Sequence, residues 1–114
     1  MRFAVFASGN GSNLQAIIEA VKEGLIKAEL ALVFSDNKKA LALKRAQDAG
    51  IKTLQLTRKD YATPQSYERD IIIHLKEENI DFIVLAGYMK ILSPFFVKVI
   101  FASDPYTKLE DPAV

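Results

Sequence analysis

The chain has 114 residues, half of them apolar and a quarter charged, with a net charge of +1 and no cysteine. That length and apolar content fit one domain with a core that needs no metal or disulfide staple. The balanced charge excludes a global field for nucleic acid or membrane, so any anion must be held by local geometry, and the lack of cysteine excludes thiolate chemistry and suits a reducing, cytoplasmic setting.

In chain order, "RFAVFAS" (2–8) is an apolar run closed by small polar residues and predicts a buried strand. "SNLQAIIEAVKE" (12–23) spaces Leu14, Ile17, Ile18 and Val21 along one helical face, with Gly24 as its stop. "ELALVF" (29–34) is a second strand, "SDNKK" (35–39) a turn, and "ALALKRAQDAG" (40–50) a second helix closed by Gly50. "IKTLQL" (51–56) is a third strand. After the loop 57–64, Thr63 and Pro64 form a cap and first turn for a third helix over 65–80. "DFIVLAG" (81–87) is the fourth strand and the most apolar. Strict alternation of strand and helix predicts an α/β fold, a Rossmann-like open parallel sheet with helices on both faces. No apolar run approaches membrane-spanning length, and a single histidine, His74, leaves no His-rich metal site.

Ligands in such sheets sit beyond the carboxyl ends of the strands. That rule points to Ser8–Asn13 and to Gly87–Pro94. In "GNGSN" (9–13), Gly9 and Gly11 permit positive φ and close backbone approach. The amides of Gly11, Ser12 and Asn13 would be unpaired donors at a helix N-terminus, suited to a phosphate. A plain turn with Ser12 as N-cap explains the loop alone equally well. A dinucleotide fingerprint fails because Leu14 stands where its third glycine belongs, and no Gly-Lys-Ser/Thr follows to make a Walker loop. Asp36 stands near the offset of a ribose-binding acid, which keeps a nicotinamide enzyme as a distant alternative. In the second loop, Tyr88, Met89, Ile91 and Leu92 form an apolar shelf for a flat ligand, or else part of the core.

"ASGNGSNLQAII", "VFSD" (33–36) and "LAGYMKILSP" (85–94) together resemble glycinamide ribonucleotide formyltransferase, over residues 1–100 and in the same element order. The resemblance implies formyl transfer from 10-formyltetrahydrofolate to glycinamide ribonucleotide in purine biosynthesis. It implies that Gly11, Ser12 and Asn13 bind the substrate phosphate, and that Met89, Lys90, Ile91 and Leu92 lie against the folate. The family's arginine near the start of the third helix has no counterpart beside Pro64, so that contact is unassigned. A formyltransferase acting on methionyl-tRNA fits less well, since the chain has no basic footprint for tRNA.

The family's later Asn-x-His-Pro and catalytic Asp have no match in "IFASDPYTKLEDPAV" (100–114). Asp104 and Asp111 stand in a polar tail without a histidine, and no catalytic residue is assigned. A shifted reading frame, an unrelated extension or a shortened gene product would each give this pattern. The expected layout is a formyltransferase N-terminal half over 1–100, truncated after its fourth strand, and a non-family tail over 101–114. Such a chain binds phosphate without substantial turnover; a non-catalytic phosphate-binding or interaction module is the alternative from another class. The apolar stretch 91–101, "ILSPFFVKVIF", predicts a homodimer or larger assembly.

Overall fold

The computed structural model describes residues 1–88. Four strands, β1 (Arg2–Phe6), β2 (Glu29–Ser35), β3 (Lys52–Gln55) and β4 (Phe82–Leu85), form one sheet in the order β3-β2-β1-β4. Each pairing is parallel. Three helices, α1 (Ser12–Lys22), α2 (Leu41–Asp48) and α3 (Pro64–Glu77), make the crossovers, and a short 3-10 turn spans Arg58–Asp60. The α/β class and the order of elements expected from the sequence are those observed.

The two faces of the sheet bury different sets. Phe3 and Val5 point to one side and pack with Leu14 and Ile18 of α1 and with Ala42, Leu43 and Ala46 of α2. Ala4 and Phe6 point to the other and pack with Tyr67, Ile71, Ile72 and Leu75 of α3. β1 is therefore buried on both faces, which is why its run is continuously apolar rather than alternating. In β2 the register with β1 slips between Phe3 and Ala4, whose partners are Leu30 and Leu32. Ala31 is the extra residue of this bulge. Leu30 accordingly faces α1 and α2, while Leu32, two residues on, faces α3.

The predicted start of α3 is realised as a capping box. The Ser66 amide donates to Thr63 Oγ1 at 3.1 Å, and the Thr63 amide donates to Ser66 Oγ at 3.3 Å, with Pro64 in the first turn. Phe34 is fully buried and its ring lies 4.8 Å from that of Phe6. Removing such a ring costs about 3–5 kcal/mol. The fourth strand, the most apolar of the sequence, is the outer strand next to β1 among the described residues, and its Leu85 is 55 % exposed.

At the amino end of the sheet, charges are paired with one another. Arg2 Nη1 contacts Glu29 Oε2 at 2.8 Å, Arg2 Nε donates to Glu78 O at 2.8 Å, and the Arg2 amide donates to Asp81 Oδ2 at 2.7 Å. Lys52 Nζ reaches the Glu78 carboxylate at 2.5 Å. No helix among the described residues is long and apolar enough to cross a membrane.

Candidate functional site

Three loops meet at the carboxyl ends of the strands. The Ser8 amide, after β1, donates to Gly87 O after β4 at 3.2 Å. Ser8 Oγ donates to Asp36 Oδ1, after β2, at 3.0 Å, and Asn37 Nδ2 reaches Ser8 O at 3.4 Å. The topology thus brings together the two loops singled out from the sequence. Asp36, weighed above as a ribose acid, spends a carboxylate oxygen on Ser8.

The loop itself leans on α2. The Ala42 amide donates to Gly9 O at 3.2 Å, which satisfies one orphan donor of a helix whose cap residue, Ala40, supplies no side-chain bond. Arg45 Nε donates to Asn10 O at 2.7 Å, and Arg45 Nη1 lies 3.5 Å from Gln15 Oε1. Gly11 is the N-cap of α1, with φ 79° and ψ 23°. A Cβ there would stand 2.7 Å from Ala42 Cα and 2.9 Å from Ala42 Cβ. Only glycine fits, for both backbone angle and space. Gly9 differs: it is not among the positive-φ glycines and has open space around it, so the freedom expected of it is not used.

The three expected phosphate donors are placed unequally. Gly11 is buried, while Ser12 and Asn13 are exposed at the start of α1. The Ser12 amide donates to Asn10 Oδ1 at 2.9 Å, so it is engaged within the loop. Among the described residues, no acceptor takes the amides of Gly11 or Asn13. The first turn of α1 carries no acidic residue to repel an anion. The expected N-cap role of Ser12 belongs instead to Gly11, which has no side chain to give.

The expected folate residues Met89, Lys90, Ile91 and Leu92 lie outside the described residues, as do the assembly segment 91–101 and the tail with Asp104 and Asp111. Of the apolar shelf, Tyr88 is described. Its ring packs edge-on to Phe6 at 5.3 Å and lies 6.1 Å from Phe34, on the α3 side of the sheet. It is used by the core rather than offered as a flat surface. Burial pushes its phenol up, with Tyr67 and Asp36 adding to the effect. Burial likewise raises the Tyr67 phenol to about 12, and its hydroxyl donates to Leu56 O at 3.0 Å.

His74 stands at the other end of the molecule. It lines a shallow cleft with Lys52, Thr53 and Glu78, and its Nδ1 is 2.8 Å from Asp70 O. Arg45 and Ala42 were not singled out from the sequence. The available signal was Ala42 and Ala46 on one helical face, both fully buried, since two alanines there let another backbone come close.

The family model described as formyl transferase matches residues 1–102. Phosphoribosylglycinamide formyltransferase of Escherichia coli is 45 % identical over 97 residues, which covers 85 % of this chain and 46 % of that protein. The trifunctional purine biosynthetic protein adenosine-3 of Drosophila pseudoobscura is 42 % identical over 99 residues, 85 % of this chain and 7 % of that protein. Glycinamide ribonucleotide transformylase 1 of Geobacillus kaustophilus superposes with a TM-score of 0.85 at 38 % identity, covering 89 % of this chain and 54 % of that one. The chain therefore spans about half the length of its single-function relatives.

Proposed function

The chain belongs to the formyl transferase family, and from that premise we propose that its loop after β1 cradles the phosphate of glycinamide ribonucleotide in a purine-biosynthetic formyl transfer from 10-formyltetrahydrofolate. The observation that carries the reading is the Gly11 turn, which starts α1 with the Gly11 and Asn13 amides lacking an acceptor among the described residues and with no acidic residue in the first turn of the helix. A phosphate at that point meets main-chain donors and the positive end of the helix, with no lysine required. Relatives sharing about two residues in five are named for glycinamide ribonucleotide chemistry. The folate is assigned to Met89, Lys90, Ile91 and Leu92 on the family resemblance, and no step is derived through it.

The 114-residue chain binds and does not turn over. Formyl transfer builds charge on the formyl oxygen, which needs placed donors and an acid or base near the amine. The sole histidine of the chain, His74, sits by the amino end of β3 and is bonded to Asp70 O. The domain runs over 1–100 with a non-family tail over 101–114, and copies associate through 91–101, where "ILSPFFVKVIF" is strongly apolar. The setting is cytoplasmic.

Titration with glycinamide ribonucleotide, followed by the amide resonances of Gly11–Asn13, tests the site: shifts confined to the loop are expected, and none at millimolar ligand overturns it. Turnover near 1 per second or faster, the range of working enzymes, would overturn the claim of binding without catalysis. A monomer by light scattering at micromolar concentration would overturn the assembly.

A further inference from the structure

We infer that Arg45 is a positioning residue for the phosphate: from α2 it aims the main-chain donor of Gly11 without itself being the ligand. The inference rests on the proposed phosphate-binding role of the loop.

In a trans peptide the carbonyl and the amide hydrogen point in opposite directions. Arg45 Nε holds Asn10 O at 2.7 Å, so the Asn10–Gly11 peptide turns its carbonyl to α2 and its N–H away from it. The preceding peptide is fixed in the same sense, because the Ala42 amide holds Gly9 O at 3.2 Å. Two successive peptides are thereby oriented by one helix. That helix is firmly seated, since Ala42, Leu43 and Ala46 are buried against the sheet. The stem of Arg45 also lies against the turn: a Cβ on Gly11 would come within 3.1 Å of Arg45 Cδ. Its Nη1 faces Gln15 of α1 at 3.5 Å, so the head group spans the loop and the helix that the loop starts. Asn10 is exposed and its side chain accepts from the Ser12 amide within the loop, so the tie from the Asn10–Gly11 peptide to α2 is Arg45. A preorganised donor saves the ordering cost that a mobile loop would meet on binding.

Three substitutions separate aim from charge. Arg45→Met keeps the stem and loses the donor. Arg45→Gln places an amide nitrogen at the Nε position and loses the charge. Arg45→Lys keeps the charge and moves the donor one atom outward. Affinity for glycinamide ribonucleotide is measured on the full chain, with the Gly11 amide shift recorded before ligand is added and β1 amide shifts as the check of fold. R45M is expected to weaken binding about tenfold, the size of one charge-assisted hydrogen bond, and to move the free Gly11 resonance. R45Q is expected to stay within about threefold of the original chain and to leave that resonance in place. R45K is expected to weaken binding by several-fold and to move the resonance, and it decides the matter should R45M not fold. Equal binding by R45M, or loss in R45Q with full binding in R45K, overturns the inference, the latter because charge alone would then matter. If the original chain binds no glycinamide ribonucleotide, the phosphate reading fails and takes this role with it; if it binds and the variants do not differ, only the role of Arg45 falls.

Discussion

At the amino end of the sheet, charged side chains neutralise one another, Arg2 with Glu29 and Glu78 and Lys52 with Glu78, and the Asp81 carboxylate accepts from the Arg2 amide. At the carboxyl end a helix holds the loop by its carbonyls, Gly9 O and Asn10 O, and the facing amides are left over. Both ends are polar and both are well bonded. The difference lies in what remains after the bonding is complete. Charges spent on partners serve the fold, whereas oriented donors without internal acceptors are what an anion can use.

The sharpest way to break that contrast is Gly11→Ala. The left-handed backbone and the 2.7 Å approach to Ala42 Cα both resist a Cβ. Denaturant unfolding is expected to show a loss of about 2–4 kcal/mol, and calorimetric titration a weakening of phosphate binding of at least about tenfold. At the other end, Arg2→Ala is expected to cost about 1 kcal/mol, because Glu29 is largely exposed and Glu78 partly so, with phosphate affinity within about twofold of the original. A larger change in affinity there would erase the distinction between the two ends.

On the α3 side of the sheet lies a tyrosine cluster. The Tyr61 phenol is raised to about 12, first by its hydrogen bond to Asp70, and Tyr67 to about 12, first by burial. The folded chain therefore keeps these protons above the ordinary tyrosine value of about 10 at which the unfolded chain loses them. The stability they contribute is present below that pH and is lost as pH rises from about 10 through 12. The unfolding midpoint should fall over that window, and less steeply in Tyr67→Phe. The smallest effect is expected of His74→Ala. With a half-exposed ring bonded within its own helix, it should change stability by under about 0.5 kcal/mol and leave phosphate binding unaltered.

Strands, helices and caps were legible because each has a local cause: apolar runs for β1 and β2, an i, i+3, i+4, i+7 stripe for α1, Thr63 and Pro64 for α3. The special place of Gly11 was legible, but only half of its reason was. The backbone angle can be guessed from a strand–turn–helix, whereas the close approach of Ala42 depends on how two helices pack. The same holds for Arg45, thirty-five positions from Asn10, and for the Ser12 amide, which Asn10 Oδ1 occupies by a local bond that competes with an external anion. Tyr88 beside Gly87 reads as a surface shelf until the rings of Phe6 and Phe34 are seen beneath it. Local rules located the loop; packing between distant segments decided which of its groups point outward.

The bulge at Ala31 makes one codon in the gene unlike its neighbours. With it gone, Leu30 and Leu32 would be adjacent, and ordinary alternation would still send them to opposite faces, so the run from Leu32 to Ser35 would keep its sides. A three-base deletion at this point is therefore expected to straighten the strand and keep the fold, whereas the same deletion at Val33, inside the regular pairing, would turn Phe34 and Ser35 to the wrong faces.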